Sequence, residues 1–293
     1  MTEPYVAARG LAKSFNGKAV LEDVSVSVEP GDVVGVLGKN GAGKTTLLEL
    51  MLGFTPASAG SVEVFGHESY RLPGAAKARI GFVPQQDELI NHLTTADQLR
   101  VIRSFYKRWD DGLVTRLVER WGIDLGQRIR GMSVGQRQKL SILLALGHGP
   151  DLLILDEPVA SLDPVARRHF LEEIVEIAAD RTRAVVFSSH IVSDVERLAS
   201  KIWIIKDNVL YWQGEFDALK DSIVRLHVRA SQPVSPQLPI PNALSVEFAN
   251  NHATAVIHDW NDELRRRIAD LVPGADLELE PLTLEDIFLE LHR

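Results

Sequence analysis

Cysteine is absent from this 293-residue chain. That excludes disulfides, thiolate catalysis and cysteine zinc sites, and it suits a reducing cytosol. The 9 histidines form no metal-ligand series, and no His-Glu-x-x-His motif occurs. No apolar run approaches the ~18 residues of a spanning helix; the longest, at 142–146 and 152–155, have the length of core segments. The opening Met1-Thr2-Glu3-Pro4 lacks the basic start and apolar stretch of a secretory signal. A basic excess is missing too. There are 32 Lys and Arg against 40 Asp and Glu, a net charge of -8, which weighs against nucleic acid as the main partner. What remains, 45% hydrophobic and 25% charged residues, is a globular composition, and the length allows one large domain and a small one.

Against these absences stands Gly38-Lys39-Asn40-Gly41-Ala42-Gly43-Lys44-Thr45, which satisfies the Gly-x4-Gly-Lys-Thr pattern of a phosphate-binding P-loop. It follows an apolar run at 33–37 and precedes an apolar helical stretch that starts at Thr46. A strand, a glycine-rich turn and a helix N-terminus make a nest of backbone N–H groups that cradles anionic phosphates. Lys44 adds a point charge for the β and γ phosphates, and the Thr45 hydroxyl is a candidate Mg²⁺ ligand.

Periodicity places the remaining segments. Residues 6–11, 19–21 and 24–28 predict strands, and Glu29-Pro30-Gly31-Asp32 predicts a turn. Short strands follow at 62–65 and 80–83, then a helical pattern from 94 to about 121 and a helix from Gly135 to Gly147. The apolar run 152–155 predicts a central strand covered on both faces. Pro164 opens a helix running to 179, followed by a strand at 184–187, a helix at 192–199 and a strand at 201–205. Lys206-Asp207-Asn208 reads as a hairpin turn, and Gly214 and Gly274 as turn residues. This alternation predicts an α/β fold with a mostly parallel sheet preceded by an antiparallel portion.

Composition shifts near residue 221. A proline-rich connection containing Pro233, Pro236, Pro239 and Pro241 lies among strand-like segments at 223–228, 253–257 and 276–280. Helices are expected at 263–271, where Arg265-Arg266-Arg267 reads as a solvated face, and at 284–291. The expected division is a domain over 1–220, with a helical subdomain at about 87–147, and a small α/β accessory domain over 221–293.

Asp156 and Glu157 end the central apolar run. In open α/β sheets ligands collect at the carboxyl ends of the strands. An Asp there can bind Mg²⁺, and the next carboxylate can orient or deprotonate the water that attacks a γ phosphate.

At this point the chain resembles the nucleotide-binding subunits of ABC transporters over roughly residues 5–215. The P-loop and the Asp156-Glu157 pair match the Walker A and Walker B motifs. The signature segment, normally Leu-Ser-Gly-Gly-Gln, aligns with Met132-Ser133-Val134-Gly135-Gln136. Gln85 matches the Q-loop glutamine, Ser161-Leu162-Asp163 the D-loop, His190 the switch histidine, and Phe15 the aromatic residue that stacks on adenine. Each motif alone is short; their order and spacing together are very specific.

The resemblance implies a P-loop NTPase core with an antiparallel β subdomain and a helical subdomain. It implies an ATPase using ATP and Mg²⁺, with Glu157, His190, Gln85 and Lys44 catalytic. Thr45, Gln85 and Asp156 would hold the metal, and Phe15, the segment from Gly38 to Thr46, Ser133, Gly135, Gln136 and Asp163 would bind the nucleotide. The signature segment works in trans, so two chains, as a homodimer, sandwich ATP between them. A separate transmembrane permease is the implied partner, at the cytoplasmic face of a prokaryotic membrane. The ending Thr283-Leu284-Glu285-Asp286-Ile287-Phe288-Leu289 resembles ABC-2 type export ATPases.

Val134 departs from the family pattern, placing a β-branched residue where glycine is usual. If this position requires positive φ or close approach to phosphate, the composite site is weakened; if Ser133 and the Gly135 N–H make the contacts, Val134 points away. Two other readings stay open at this stage: a mechanochemical ATPase of the same type acting on nucleic acid or the ribosome, and a binder whose ATPase is nearly silent.

Overall fold

Asn16 and Gly17 both have positive φ, 50° and 79°, the geometry of a two-residue hairpin turn. β1 (Val6–Phe15) therefore folds straight back as β2 (Lys18–Val28). The short strands expected over 6–28 are thus two long ones, and the Asn-Gly pair was the overlooked signal. The computed structural model describes residues 3–292. These divide into two compact units, one ending at Gln213 and the other beginning at Gly214, whereas the sequence placed a boundary after residue 220.

In the first unit, β3 (Val33–Leu37), α1 (Lys44–Leu52), β4 (Ala59–Val64) and β5 (His67–Glu68) follow the hairpin. Then come α2 (Gly74–Lys77), β6 (Ile80–Val83), α3 (Thr95–Arg103), α4 (Asp111–Arg120), α5 (Val134–Leu146) and β7 (Leu152–Leu155). α6 (Pro164–Ala179), β8 (Ala184–Ser188), α7 (Val192–Leu198), β9 (Lys201–Lys206) and β10 (Val209–Glu215) complete the alternation. The sheet order is β5-β4-β1-β2-β10-β9-β3-β8-β7-β6. The run β9-β3-β8-β7-β6 is parallel throughout, and β2, β1, β4 and β5 pair antiparallel. This is a P-loop NTPase core with an antiparallel β subdomain and a helical subdomain.

β3, β7 and β8 are buried along their whole length, as strands covered on both faces must be. Gly35 shows how close the cover is: a Cβ there would lie 2.4 Å from Val195 Cγ1 of α7. Two expectations change. The helical pattern from 94 to 121 is two helices. Asp110 caps α4 by accepting from the Leu113 N–H at 2.8 Å, its own N–H donates to the Gly147 carbonyl at 2.8 Å, and the Trp109 ring lies against Gly147. Those tertiary contacts stop a helix that periodicity would have continued. β10 was not predicted; Gly214 lies inside it rather than in a turn, whereas Asp207 and Asn208, at φ 50° and 70°, do form the tight turn before it.

The second unit holds α8 (Phe216–Ser222), β11 (Val224–Arg229), β12 (Ala243–Ala249), β13 (His252–Ile257), α9 (Asp262–Leu271), β14 (Asp276–Pro281) and α10 (Leu284–Leu291). Its antiparallel sheet has the order β12-β13-β11-β14. Leu264 and Ile268 of α9 pack on Leu226, Val228, Ala253, Ala255 and Ile257. Val234 and Ile240 join that core, so the proline-rich connection is pinned at two points. β12 went unpredicted because its residues are half-buried or exposed without a sharp alternation.

Candidate functional site

The site forms where β3, β8 and β7 end side by side. Val36 of β3 lies opposite Ser188 of β8, and Phe187 of β8 opposite Leu155 of β7. Parallel strands in register therefore deliver the P-loop, Ser188 and the Asp156-Glu157 pair to one edge. Gly41 and Gly43 have φ of 82° and 104°, which only glycine adopts without strain. At Gly43 a Cβ would also lie 2.7 Å from Leu21 Cδ2 and 2.8 Å from the Val20 carbonyl. Gly38 is equally confined, 2.7 Å from the Ile205 carbonyl by the same measure. The Ala42 N–H closes the turn on the Lys39 carbonyl at 3.1 Å, and α1 starts at Lys44 with its first N–H groups free of intrahelical partners.

A cavity of ≈ 360 Å³ opens on this helix N-terminus, lined by Asn40, Gly41, Gly43, Lys44, Thr45, Thr46, Val20, Gln85 and Glu157. Lys44 Nζ donates to the Gly38 carbonyl at 2.9 Å and lies 3.8 Å from Glu157 Oε1, both side chains being 7% exposed. Glu157 Oε2 meets His190 Nδ1 at 2.7 Å. If that Nδ1 donates, the neutral ring presents Nε2 as an acceptor, and only the imidazolium donates from both nitrogens. Thr45 Oγ1 donates to Asp156 Oδ2 at 2.7 Å. Hydroxyl, carboxylate and the Gln85 amide carbonyl form an all-oxygen donor set, the kind that suits Mg²⁺. Glu157 itself sits at φ 49°, an uncommon conformation for a residue with a side chain and one that clusters at functional sites.

Other expected residues stand outside the cavity lining. Phe15 is exposed at the end of β1, with Lys13 Nζ 4.7 Å from its ring centroid; one of its faces is already covered by an ammonium. Asp163 caps α6, accepting from Val165 and Ala166 at 3.0 and 2.9 Å, with Lys139 Nζ at 3.6 Å. The backbone N–H donation from Ala166, with Lys139 helping, holds its carboxyl below the usual range.

Ser133 caps α5 in a reciprocal box: its Oγ accepts from the Gln136 N–H at 3.2 Å, and Gln136 Oε1 accepts from the Ser133 N–H at 2.8 Å. Gly135 is confined, since a Cβ there would lie 2.9 Å from the Ser161 carbonyl. Val134 is the first residue of α5, in right-handed helical conformation, and 65% exposed. Positive φ is therefore not required at 134, and the side chain points away from the fold. Val134→Gly is expected to leave ATPase turnover within about twofold; an inactive wild type revived by the glycine would show that the valine obstructs.

Sequence reading missed Arg137, Gln138 and Ser188 here. Arg137 grips Asp87 through Nε and a second nitrogen, with the Nε bond at 2.8 Å, and donates to Asn91 Oδ1 at 2.8 Å. It thereby ties the segment after Gln85 to the signature helix, and its guanidinium holds the Asp87 carboxyl below the usual range. Gln138 Nε2 donates to the Pro158 carbonyl at 3.0 Å, joining the same helix to the end of β7. Ser188 touches both acidic residues. For Ser188 the available signal was a polar residue ending the apolar run 184–187; Arg137 and Gln138 sit in a polar stretch that offers none.

The family model described as ABC transporter matches residues 21–160. The chain is 34% identical to an uncharacterized ABC transporter ATP-binding protein, YdbJ, of Bacillus subtilis (strain 168), across 99% of this chain and 96% of that one. It is 31% identical to the Nod factor export ATP-binding protein I of Rhizobium johnstonii, covering 96% and 93% of the two chains. Among solved structures, the ATP-binding subunit of an ABC transporter superposes with a TM-score of 0.68 at 26% identity, covering 74% of this chain and 92% of that one. A glycine-built phosphate cradle facing two buried carboxylates, and likeness at this level along nearly the whole length, lead to one assignment: the chain belongs to the ABC transporter family as an ATP-binding, ATP-hydrolysing subunit.

Proposed function

We propose that ATP cleavage by this chain powers export through a separate transmembrane subunit, with two copies closing on ATP in a head-to-tail sandwich at the cytoplasmic face of a prokaryotic membrane. The observation that carries the chemistry is the convergence of Lys44, Thr45, Asp156 and Glu157 on one helix N-terminus. Backbone N–H groups from Gly41 to Thr46 would hold the β and γ phosphates. Lys44, now bonded to the Gly38 carbonyl, would move its charge onto phosphate oxygens. Thr45, Gln85 and Asp156 would hold Mg²⁺, which would neutralise the negative charge that develops on the phosphates.

Glu157 would take the proton of the attacking water, and His190, bonded to it, would orient that carboxylate and reach the γ phosphate. Phe15 offers its open face to adenine. Ser133, the Gly135 N–H and Gln136 would complete the site on the opposite copy, where their helix N-terminus again favours an anion. Asp163 sits beside that helix through Lys139 and would report closure across the interface. ATP favours the closed pair because only that state makes both sets of contacts.

Three findings support the transport side of this reading. The Nod factor relative, at 31% identity, is an export ATP-binding protein. No helix of the described residues is long and apolar enough to cross a membrane, so a spanning path would come from another chain. A third is the resemblance of the segment 283–289 to ABC-2 type export ATPases. The test is gentle membrane extraction followed by co-purification. A polytopic membrane protein that comes along in stoichiometric amount is the expected result; recovery with ribosomes or nucleic acid and no membrane protein would refute it.

A further inference from the structure

Ser188 ends β8 with its side chain fully buried, and it is not part of the cavity wall. Its Oγ donates to Asp156 Oδ1 at 2.6 Å and accepts from the backbone N–H of Glu157 at 2.9 Å. A hydroxyl carries one proton, so giving it to Asp156 turns a lone pair toward Glu157. The two bonds are therefore compatible and are made at once.

Both partners need holding. Asp156 has its other oxygen bonded to Thr45 Oγ1 at 2.7 Å, so the Ser188 bond fixes the rotation of the carboxylate about its last torsion. Glu157 lies at φ 49°, and a left-handed conformation persists at a side-chain-bearing residue only where the surroundings over-determine it. Its N–H is buried, and its carboxylate faces Lys44 and His190. One buried hydroxyl is thus bonded to the group assigned to the metal and to the backbone of the group assigned to the water.

We propose that Ser188 is a positioning residue for ATP cleavage: its hydroxyl sets the Asp156 carboxylate and the Glu157 backbone in a single arrangement, so that metal and attacking water are presented in register. This rests on the roles given above to Asp156 and Glu157. Outer partners that orient metal ligands typically account for about 10- to 100-fold in metal affinity or activity, and Ser188 belongs in that range.

The test uses the full chain. Ser188→Ala is expected to lower kcat about 30-fold while the Kd for metal-free ADP stays within about twofold. Mn²⁺, followed by its electron paramagnetic resonance signal, should bind the ADP complex about 10-fold more weakly. Ser188→Cys keeps a weak donor and acceptor in the same place and should fall between alanine and wild type in both readouts. Unchanged kcat in Ser188→Ala would overturn the assignment. So would a joint fall of kcat, ADP affinity and melting temperature, or failure of both variants to fold, because each of these marks a merely structural group. Glu157→Gln in the same assay separates the two readings. If it turns over like wild type, the role of Glu157 fails and this inference with it; if it is silent while Ser188→Ala is fully active, only the inference fails.

Discussion

Replacing Glu157 by Gln is expected to cut ATP turnover by about 10²–10⁴-fold, the range contributed by a positioned general base, while ATP binding survives. The amide keeps the shape and the oxygen that meets His190, but it has no site for the water's proton. Binding should survive because the phosphate cradle is backbone N–H and Lys44, and neither depends on the Glu157 charge. The variant would even free Lys44, whose Nζ lies 3.8 Å from Glu157 Oε1. On the proposed mechanism ATP stabilises the closed pair and cleavage ends that preference, so an ATP-loaded dimer should accumulate. Single-turnover hydrolysis and size-exclusion chromatography with ATP measure both halves; turnover at the wild-type rate would remove Glu157 from the mechanism.

Lys44→Ala should be the most damaging change to binding. A hydrogen bond to a charged group contributes about 1.5–3 kcal/mol, and Lys44 would make more than one to phosphate. The affinity loss should be about 100-fold, read as the Kd for ATP. The same substitution should also destabilise the nucleotide-free protein. Lys44 and Glu157 are both 7% exposed, and removing one member of a buried pair leaves an uncompensated charge at a cost of about 3–5 kcal/mol. Their 3.8 Å separation, the open cavity beside them and the His190 bond that Glu157 keeps place this pair at the lower end. A fall in melting temperature of about 5 °C is expected. Adding Glu157→Gln removes the orphaned charge, so the double variant should recover part of that loss without recovering ATP binding. Lys44→Ala with wild-type affinity and melting temperature would contradict both halves.

The conformation of the signature segment is fixed by contacts that its local sequence does not contain. From the chain alone, Val134 was either an obstruction or a bystander, because nothing local says whether residue 134 needs positive φ. The structure makes it the first helical residue after the Ser133 cap, with its side chain in solvent. The confined residue is Gly135, and what confines it is the Ser161 carbonyl, contributed by a different loop. A similar lesson holds at 94–121. Apolar periodicity runs on across the break, whereas Trp109 and Asp110 are fastened to Gly147, a residue more than thirty positions away whose nearness no local pattern announces.

Features set by neighbours along the chain were readable in advance. The P-loop, the helices expected at 135–147 and 284–291, the proline opening α6 and the buried strands at 152–155 and 184–187 each rest on φ preferences or periodicity within a few residues. Even so, the Gly38–Thr45 nest implied only that phosphates are held. The chemistry requires that Thr45 meet Asp156, 111 residues away in sequence, and that Ser188 meet Asp156 across 32. Those meetings depend on β8 lying between β3 and β7 and on the register that puts Ser188 level with Val36. Strand order is a property of how the sheet buries its two faces as a whole, so no short window of sequence contains it.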